Sequence, residues 1–207
     1  MKILFITHYS QLYGANRSLL DLINSLNGRH EMHILSPTNG EITEAAKMKG
    51  IYYHIRLFKS ACTEKKRDLS NTFSRLKYYP RLIKLVYELK PDLIYSNTSV
   101  IDYGIIISLL MRKPHFWHIR EFGEKDYHVF YDGGKRLFRF LLRRSKIIIA
   151  ISKSIQREVL CTIPSILIYN GVVKKELLKA EPRVLSSNLK FAIVGLLHPS
   201  KGQETAI

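Results

Sequence analysis

The 207-residue chain is long enough for one well-buried domain and a further segment, and its 46% hydrophobic and 24% charged residues exclude a disordered protein. No apolar run approaches the roughly 20 residues that span a bilayer, and the first run is too short for a signal peptide. We therefore predict a cytoplasmic protein. Cys62 and Cys161 lack metal-ligand or redox spacing and are interpreted as ordinary reduced thiols.

The charge is strongly basic, with 33 Lys and Arg against 17 Asp and Glu and a formal net charge of +16. Such a surface attracts phosphates, whether on nucleic acid, anionic lipid or a nucleotide. Two stretches carry much of the excess: Arg56 to Lys90, with ten basic residues against three acidic ones, and Lys135 to Lys146, with no acid. A charge run of this kind is compatible with a solvated face and with a binding surface.

Short apolar runs alternate along the chain with longer segments of helical period. Strands are predicted over Lys2–Thr7, Glu31–Leu35, Ile51–Ile55, Asp92–Ser96, Phe116–Ile119, Lys146–Ile151 and Ser165–Ile168. Helices are predicted over Asn16–Leu26, Glu41–Lys49, Pro80–Leu89, Ile101–Met111, Lys135–Arg143 and Lys153–Cys161. This alternation predicts an α/β fold, a Rossmann-like parallel sheet with helices on both faces. Ligands of such sheets bind beyond the carboxyl ends of the strands.

A polar segment predicts a domain boundary near the end of the chain. Residues 1–180 are expected to form the Rossmann-like domain, and residues 181–189, with Pro182 and paired serines, a linker. Residues 190–207 then begin a new strand and a helix. One strand and part of a helix cannot bury a core, so we expect a second domain that is started and not finished.

The loop after the first strand contains Gly14, Ala15 and Asn16 and leads into a helix. Glycine lets backbone N–H groups approach a ligand, and the helix dipole favours an anion there. The alternative is a plain strand-to-helix turn with Asn16 as the N-cap. The G-x-G-x-x-G fingerprint is absent, which disfavours NAD.

Polar side chains also follow two other predicted strands. Asn97 and Thr98 follow the fourth strand and suit sugar hydroxyls, although Ser96 or Asn97 could merely cap the next helix. His118 and Arg120 share one face of the fifth strand, with Glu121 next to them. A lone histidine is more often a core residue, but these three together favour a catalytic site. The sequence has no D-x-D carboxylate pair and no metal-spaced histidines, so we predict no catalytic metal and no cofactor.

Five segments together resemble the retaining glycosyltransferases of family 4, which have the GT-B fold. In chain order they are Met1–Thr7 with Gly14-Ala15-Asn16-Arg17, Lys90–Ser96 (KPDLIYS), Ile149–Lys153 (IAISK), Ile168–Val172 (IYNGV) and Val194–Gln203 (VGLLHPSKGQ). Each segment is only moderately specific, but the five occur in the order of the family and cover essentially the whole chain.

The resemblance implies transfer of a sugar, with retention, from a nucleotide-diphosphate sugar to a saccharide or lipid-linked acceptor, for example in polysaccharide biosynthesis. The acceptor would bind the first domain, and the donor mainly the second. Lys201 matches the family's diphosphate-binding lysine, whereas Leu196 occupies its arginine position. The family's catalytic histidine and acid fall on Arg120 and Glu121, so His118 or Arg120 would act there. The E-x7-E motif would lie beyond Ile207, and a fragment without it is expected to be inactive.

Three other readings stay open. The aromatic residues between Arg56 and Lys90 could make this stretch a binding surface for an anionic membrane at the inner face of the plasma membrane, or for nucleic acid, which we consider the weaker alternative. They could also pack inward behind a solubilising face. Finally, an epimerase or phosphatase-like relative could reuse the same fold.

Overall fold

Seven parallel strands form the main sheet of the described chain. The computed structural model describes residues 1–26, 28–171, 192–193 and 203–206. The strands of this sheet are β1 (Lys2–Ile6), β2 (Glu31–Ser36), β3 (Tyr52–Ile55), β5 (Leu93–Ser96), β6 (His115–Ile119), β8 (Ile147–Ala150) and β9 (Ile166–Leu167). Their order across the sheet is β3-β2-β1-β5-β6-β8-β9. Two further strands, β4 (Cys62–Thr63) and β7 (Phe130–Tyr131), pair antiparallel in a small separate sheet.

The helices between residues 14 and 155 are α1 (Gly14–Leu26), α2 (Glu41–Met48), α3 (Leu69–Leu76), α4 (Tyr79–Leu89), α5 (Tyr103–Leu110), α6 (Glu124–Tyr127), α7 (Gly134–Arg144) and α8 (Lys153–Ile155), which continues as a π-helical turn over Gln156–Leu160. Helices cover both faces of the main sheet because its strands are apolar on both sides. Ile3 and Phe5 of β1 pack in one core cluster with α1 and α2, whereas Leu4 and Ile6 pack in another with α4 and α5. A third cluster joins β6 and β8 to α5, α7 and α8.

The predicted fold class is confirmed: this is an α/β, Rossmann-like sheet with helices on both faces. All seven predicted strands are present, most with ends within one residue of the prediction. Met1–Asn170 forms one compact unit, and Gly171–Ile207 is grouped as a second, of which the described helix is α9 (Gln203–Ala206). The predicted linker 181–189 lies outside the described residues, and the division at residue 180 stays a prediction.

Two alternative readings of polar residues as helix caps are wrong. α1 begins at Gly14, so Asn16 lies inside the helix. α5 begins at Tyr103 with Asp102 at its N-cap, so neither Ser96 nor Asn97 caps it. α1 begins before Asn16, and α5 begins well after Ser96 and Asn97. The side chains of these three polar residues therefore have other hydrogen-bond partners.

The sequence pattern missed the elements between residues 56 and 78 and those between residues 122 and 132. There α3, α6 and the small β4–β7 sheet stand on the carboxyl-end edge of the main sheet. A buried polar network connects them: Arg75 of α3 forms ion pairs with Asp102 and Asp132, and Asn71 also donates to Asp132. Arg75, counted above among the basic surface residues, is therefore buried.

Candidate functional site

Arg120 lies immediately after β6, at the carboxyl-end edge of the sheet, and its side chain is only 8% exposed. Its Nε donates to Asn97 Oδ1 at 3.1 Å. Its Nη1 donates to Asn170 Oδ1 at 2.8 Å and to Ser18 Oγ at 3.2 Å. These contacts join the ends of β5, β6 and β9 to the second turn of α1, so the guanidinium is held at the point where these elements meet.

Every hydrogen-bond partner of Arg120 in the described part of the chain is neutral. Among the described residues no carboxylate lies within salt-bridge distance of its guanidinium. Burial lowers the pKa of Arg120, and Glu121 acts on it only as a nearby charge that raises it. A buried cation is costly unless an anion compensates it. The arrangement can therefore bind a carboxylate or phosphate group.

Asn97 couples this arginine to the start of α1. Its Oδ1 accepts from Arg120, and its Nδ2 donates to the carbonyl of Ala15 at 3.0 Å. The structure thus brings Ala15, Asn97 and Arg120 together. This agrees with the rule that residues following the strands of a parallel sheet meet at its carboxyl-end edge, which we call the strand-end rule. Both polar atoms of the Asn97 amide already have protein partners, so its role in binding an acceptor stays a prediction.

The first-turn residues of α1 divide into an open and a buried part. Gly14 is exposed, and a Cβ added there would meet nothing within 4 Å. Asn16 is fully buried: its Nδ2 donates to the carbonyls of Tyr9 and Gln11, and its Oδ1 accepts from Thr7 Oγ1. Its side chain thereby shapes the β1–α1 loop. Any contact of this loop with a ligand would come from Gly14, Ala15 and the backbone.

His118 lies on β6, is buried and is hydrogen-bonded to Tyr95, whose hydroxyl lies 2.6 Å from its Nδ1. Burial, and then the charge of Arg120, lowers the pKa of His118 to about 3. The ring is therefore neutral at physiological pH. Its Nε2 is buried and has no hydrogen-bond partner among the described residues.

Glu121 fixes the loop that follows β5. Its Oε1 accepts from Thr98 Oγ1 at 2.8 Å, and its Oε2 accepts from the N–H and the hydroxyl of Ser99. Desolvation raises the pKa of Glu121, and these hydrogen bonds oppose the shift. Thr98 and Glu121 are thus brought together as predicted, with their polar groups directed at each other.

A sequence profile described as Glycosyltransferase Family 4 matches residues 13–175. The chain belongs to Glycosyltransferase Family 4. The crystal structure of Alr3699/HepE of Anabaena in complex with UDP is similar, with 21% identity, a TM-score of 0.63 and coverage of 83% of this chain and 44% of that one. MurG of Acinetobacter baumannii gives 14% identity, a TM-score of 0.55 and coverage of 84% and 47%.

At these identities the two structures establish the fold. The chain spans less than half the length of either of them. No curated sequence matches the chain.

The candidate site includes residues that the sequence reasoning missed. Ser18 and Asn170 were not candidates, yet both contact Arg120. Tyr9 was also missed; burial, and then the charge of Glu121, raises its pKa to about 12. Asn170 could have been found, because it follows the short strand β9 as Asn97 follows β5. Ser18 carries no comparable signal. Lys201 lies outside the described residues, so its predicted contact with a diphosphate stays a prediction.

The described part of the chain contains neither a candidate metal site nor a membrane-spanning helix. No group of three His, Cys, Asp or Glu side chains there could hold a metal ion. No helix described is long and apolar enough to cross a membrane.

A cavity of about 680 Å³ lies at the amino ends of β1, β2 and β3, on the edge opposite Arg120. That cavity and the candidate site therefore lie at opposite edges of the sheet.

Proposed function

We propose that this domain is the acceptor-side half of a retaining glycosyltransferase that uses a nucleotide-diphosphate sugar and needs no metal or other cofactor. Membership of Glycosyltransferase Family 4 supports the class of reaction. The similar HepE structures contain UDP or UDP-glucose, which supports a nucleotide sugar as donor. The observation that carries the proposal is the buried guanidinium of Arg120, which has no carboxylate partner among the described residues.

Arg120 is the residue we assign to the leaving group. Retaining transfer develops positive charge on the sugar and negative charge on the departing diphosphate. A fixed cation in a partly dry site stabilises that negative charge without reorganising. The family's arginine position in the second domain holds Leu196 in this sequence. Arg120 would supply from the first domain the charge that this position lacks.

His118 has a different part in this proposal. Its low pKa keeps it neutral, and Tyr95 fixes its ring behind Arg120. It is a positioning residue that acts through its neighbours, rather than a charged group at the diphosphate. Glu121 organises the Thr98–Ser99 loop, which would face the acceptor, and the open backbone at Gly14 and Ala15 would approach the donor.

The acceptor is proposed to be a saccharide or lipid-linked intermediate of polysaccharide biosynthesis. The protein would then work in the cytoplasm, peripherally at the inner face of the plasma membrane. The family's E-x7-E motif does not occur in this sequence. Because reacting groups must be held together for transfer, we expect activity to require a donor-binding half in addition to these 207 residues, and we call a protein with both halves the full-length protein.

The decisive experiment incubates the full-length protein with UDP-, GDP- and ADP-sugars and membrane extract as acceptor, and follows nucleotide release. Release should depend on one sugar nucleotide. Arg120→Gln should lower kcat by about 100-fold, the effect of removing one charge-stabilising donor. Arg120→Lys should recover part of the loss, and Arg29→Gln, which removes an exposed arginine at the opposite edge, should have no effect.

The other outcomes decide between the alternatives. A sugar nucleotide that changes without release of nucleotide would indicate an epimerase-like reaction. No conversion of any donor would contradict the transferase and favour a binding protein on the same scaffold. His118→Ala separates the two candidate residues: if it lowers kcat more than Arg120→Gln does, with the fold intact, the catalytic group is the histidine.

A further inference from the structure

Helix α3 presents an exposed apolar stripe to solvent. Leu69, Phe73 and Leu76 are 62%, 68% and 56% exposed. Their spacing of four and three residues places them on one face of the helix. We call these three residues the α3 stripe. Single apolar side chains are common on protein surfaces, whereas three on the same face of one helix form an exposed patch, and such patches favour an interaction site.

The opposite side of α3 is firmly attached to the domain. Arg75 forms buried ion pairs with Asp102 and Asp132, and Asn71 donates to Asp132 and to the carbonyl of Ser60. The aromatic ring of Tyr103 also lies against the Arg75 guanidinium. The stripe is therefore exposed because the polar side of the helix faces inward, and not because the helix is loosely packed.

Basic residues flank the stripe at both ends. Lys65, Lys66 and Arg67 precede α3, Lys77 and Arg81 follow it, and all five are exposed. The acidic residues near them in the sequence are Glu64 and Asp68, and the Asp68 carboxylate is engaged as the N-cap of α3. Glu124 also lies close enough to Lys66 to interact with its charge. Apolar residues bordered by lysine and arginine are typical of helices that lie in the interface of an anionic bilayer.

The α3 stripe lies at the same edge of the sheet as Arg120. Asp102 lies between β5 and α5, and Asp132 lies directly after β7 in the segment between β6 and α7. Both partners of Arg75 therefore belong to connections that leave the carboxyl ends of strands. A surface that carries α3 would therefore be near the open edge that holds the candidate site. An acceptor anchored in that surface would be close to this site.

Two other occupants fit the stripe less well. Nucleic acid would bind the lysines and arginines, but single strands are held by stacking on aromatic rings, and Phe73 is the one aromatic residue of the stripe. A second copy would pair the stripe with itself by two-fold symmetry and bring Lys65, Lys66 and Lys77 against their own counterparts. An anionic bilayer would bury the apolar side chains of the α3 stripe and would bring lipid phosphates to the flanking basic residues.

We propose that α3 docks this protein on an anionic membrane, with Leu69, Phe73 and Leu76 in the boundary between headgroups and acyl chains and the flanking basic residues on lipid phosphates. The proposal deepens the proposed function by assigning the membrane contact to one helix. Binding to lipid does not itself require sugar transfer, so it can be tested separately.

The test is flotation of the 207-residue chain with vesicles of phosphatidylcholine alone or with about a third phosphatidylglycerol. The protein should float with the anionic vesicles and lose affinity as salt rises. Phe73→Ser should weaken binding about tenfold, and Lys66→Gln about fivefold at low salt. The matched controls Tyr87→Ser and Leu110→Ser, at 68% and 65% exposure near the opposite edge, should bind as the wild type does.

Insertion can be separated from surface attraction with Phe73→Trp in vesicles of brominated lipid. The native Trp117 is fully buried, so quenching should come from the introduced indole. Tyr87→Trp should not be quenched. Strong binding without quenching of the Phe73→Trp variant would overturn the insertion of α3. The unchanged fluorescence of Trp117 in Phe73→Ser would verify that this variant is folded.

Three results would contradict the proposal. Loss of vesicle binding in Phe140→Ser but not in Phe73→Ser would assign the membrane contact to α7, where Arg144 stacks on Phe140. Salt-sensitive binding of DNA or RNA without binding of vesicles would favour nucleic acid. Self-association that Phe73→Ser abolishes, again without vesicle binding, would favour a second copy. A protein that binds vesicles but transfers no sugar would retain this proposal and lose the proposed function.

Discussion

The guanidinium of Arg75 forms a buried ion pair with the carboxylate of Asp102, 27 residues further along the chain. Arg75 comes from α3, and Asp102 is the N-cap of α5. Tyr131 of the small β4–β7 sheet donates to the second oxygen of the same carboxylate at 2.6 Å. This one carboxylate therefore connects α3, the small sheet and α5. The attachment of α3 and the small sheet to the carboxyl-end edge of the main sheet depends on it.

Removal of the Arg75 side chain should lower the free energy of unfolding. Arg75→Leu leaves the carboxylates of Asp102 and Asp132 buried without their cation, and breaking a buried pair costs about 3–5 kcal/mol in the free energy of unfolding. Urea unfolding followed by circular dichroism measures it. The exposed pair of Lys84 and Glu88 on α4 is the control, and Lys84→Leu should change little. A loss below about 1 kcal/mol in Arg75→Leu would show that the network is hydrated.

Gly104 of α5 is predicted to tolerate no side chain. A Cβ there would lie 2.3 Å from Ser96 Oγ and 2.9 Å from His115 Nε2, two atoms that are hydrogen-bonded to each other at 2.9 Å. Gly104→Ala should lower the free energy of unfolding by about 1–3 kcal/mol, the usual cost of overpacking. Gly14→Ala is the matched control, since its Cβ would meet nothing within 4 Å. Equal stability of the two variants would contradict this.

The main sheet could be predicted because each strand is a short apolar run with buried residues on both faces. Leu4 and Phe5, for example, pack in different core clusters although they are neighbours in the sequence. The small β4–β7 sheet could not be predicted, because strands of two residues carry no period. Helix α3 is a different case: Leu69, Phe73 and Leu76 have helical spacing, so the helix could have been predicted, but the spacing could not show that this apolar face points to solvent.

The site was predictable only where the strand-end rule applies. It brought Asn97 and Arg120 together correctly, since both follow strands that are neighbours in the parallel sheet. It could not show that Thr98 and Glu121 bond to each other, because that depends on how the loop after β5 folds back. Ser18 lies in the second turn of α1, and only the packing of that helix on the sheet places it beside Arg120.

Stability should decrease as the pH falls from 6.5 towards 5. Burial lowers the pKa of His8, His115 and His118 from 6.5 to about 3, and that of His54 to about 4. Across this window the unfolded chain binds protons that the folded chain does not, so acid favours unfolding. Each such histidine contributes a slope of up to about 1.4 kcal/mol per pH unit. Urea unfolding at a series of pH values measures the slope.

The comparison of two variants assigns that slope. His115 is 1% exposed, and its two ring nitrogens contact Ser96 and Ser145. His115→Gln should reduce the slope by the contribution of one histidine, while carboxylates act equally in both proteins. His128→Asn removes an exposed histidine and should leave the slope as it is. An identical slope in wild type and His115→Gln would mean that the folded protein takes up this proton as easily as the unfolded chain does.

The last prediction concerns the charge around Arg120. Asn97→Asp places a carboxylate where Oδ1 now accepts from Arg120 Nε, so the guanidinium would gain the anion that it lacks among the described residues. If Arg120 serves the donor diphosphate, this internal carboxylate competes with it. The same change replaces the Nδ2 that donates to the carbonyl of Ala15 with an oxygen, so that hydrogen bond is lost. The kcat/KM for the nucleotide sugar should fall about tenfold or more, equivalent to about 1.4 kcal/mol.

Asn97→Ser is the matched variant, because it removes the bonds to Ala15 and Arg120 without adding charge. Both variants lose the donation to Ala15, and Asn97→Ser should be the more active of the two. This ordering of activity distinguishes an anion site from a structural arginine. If Arg120 only holds β5, β6 and α1 together, a carboxylate at residue 97 strengthens that contact, and Asn97→Asp would be at least as active as Asn97→Ser in the full-length protein.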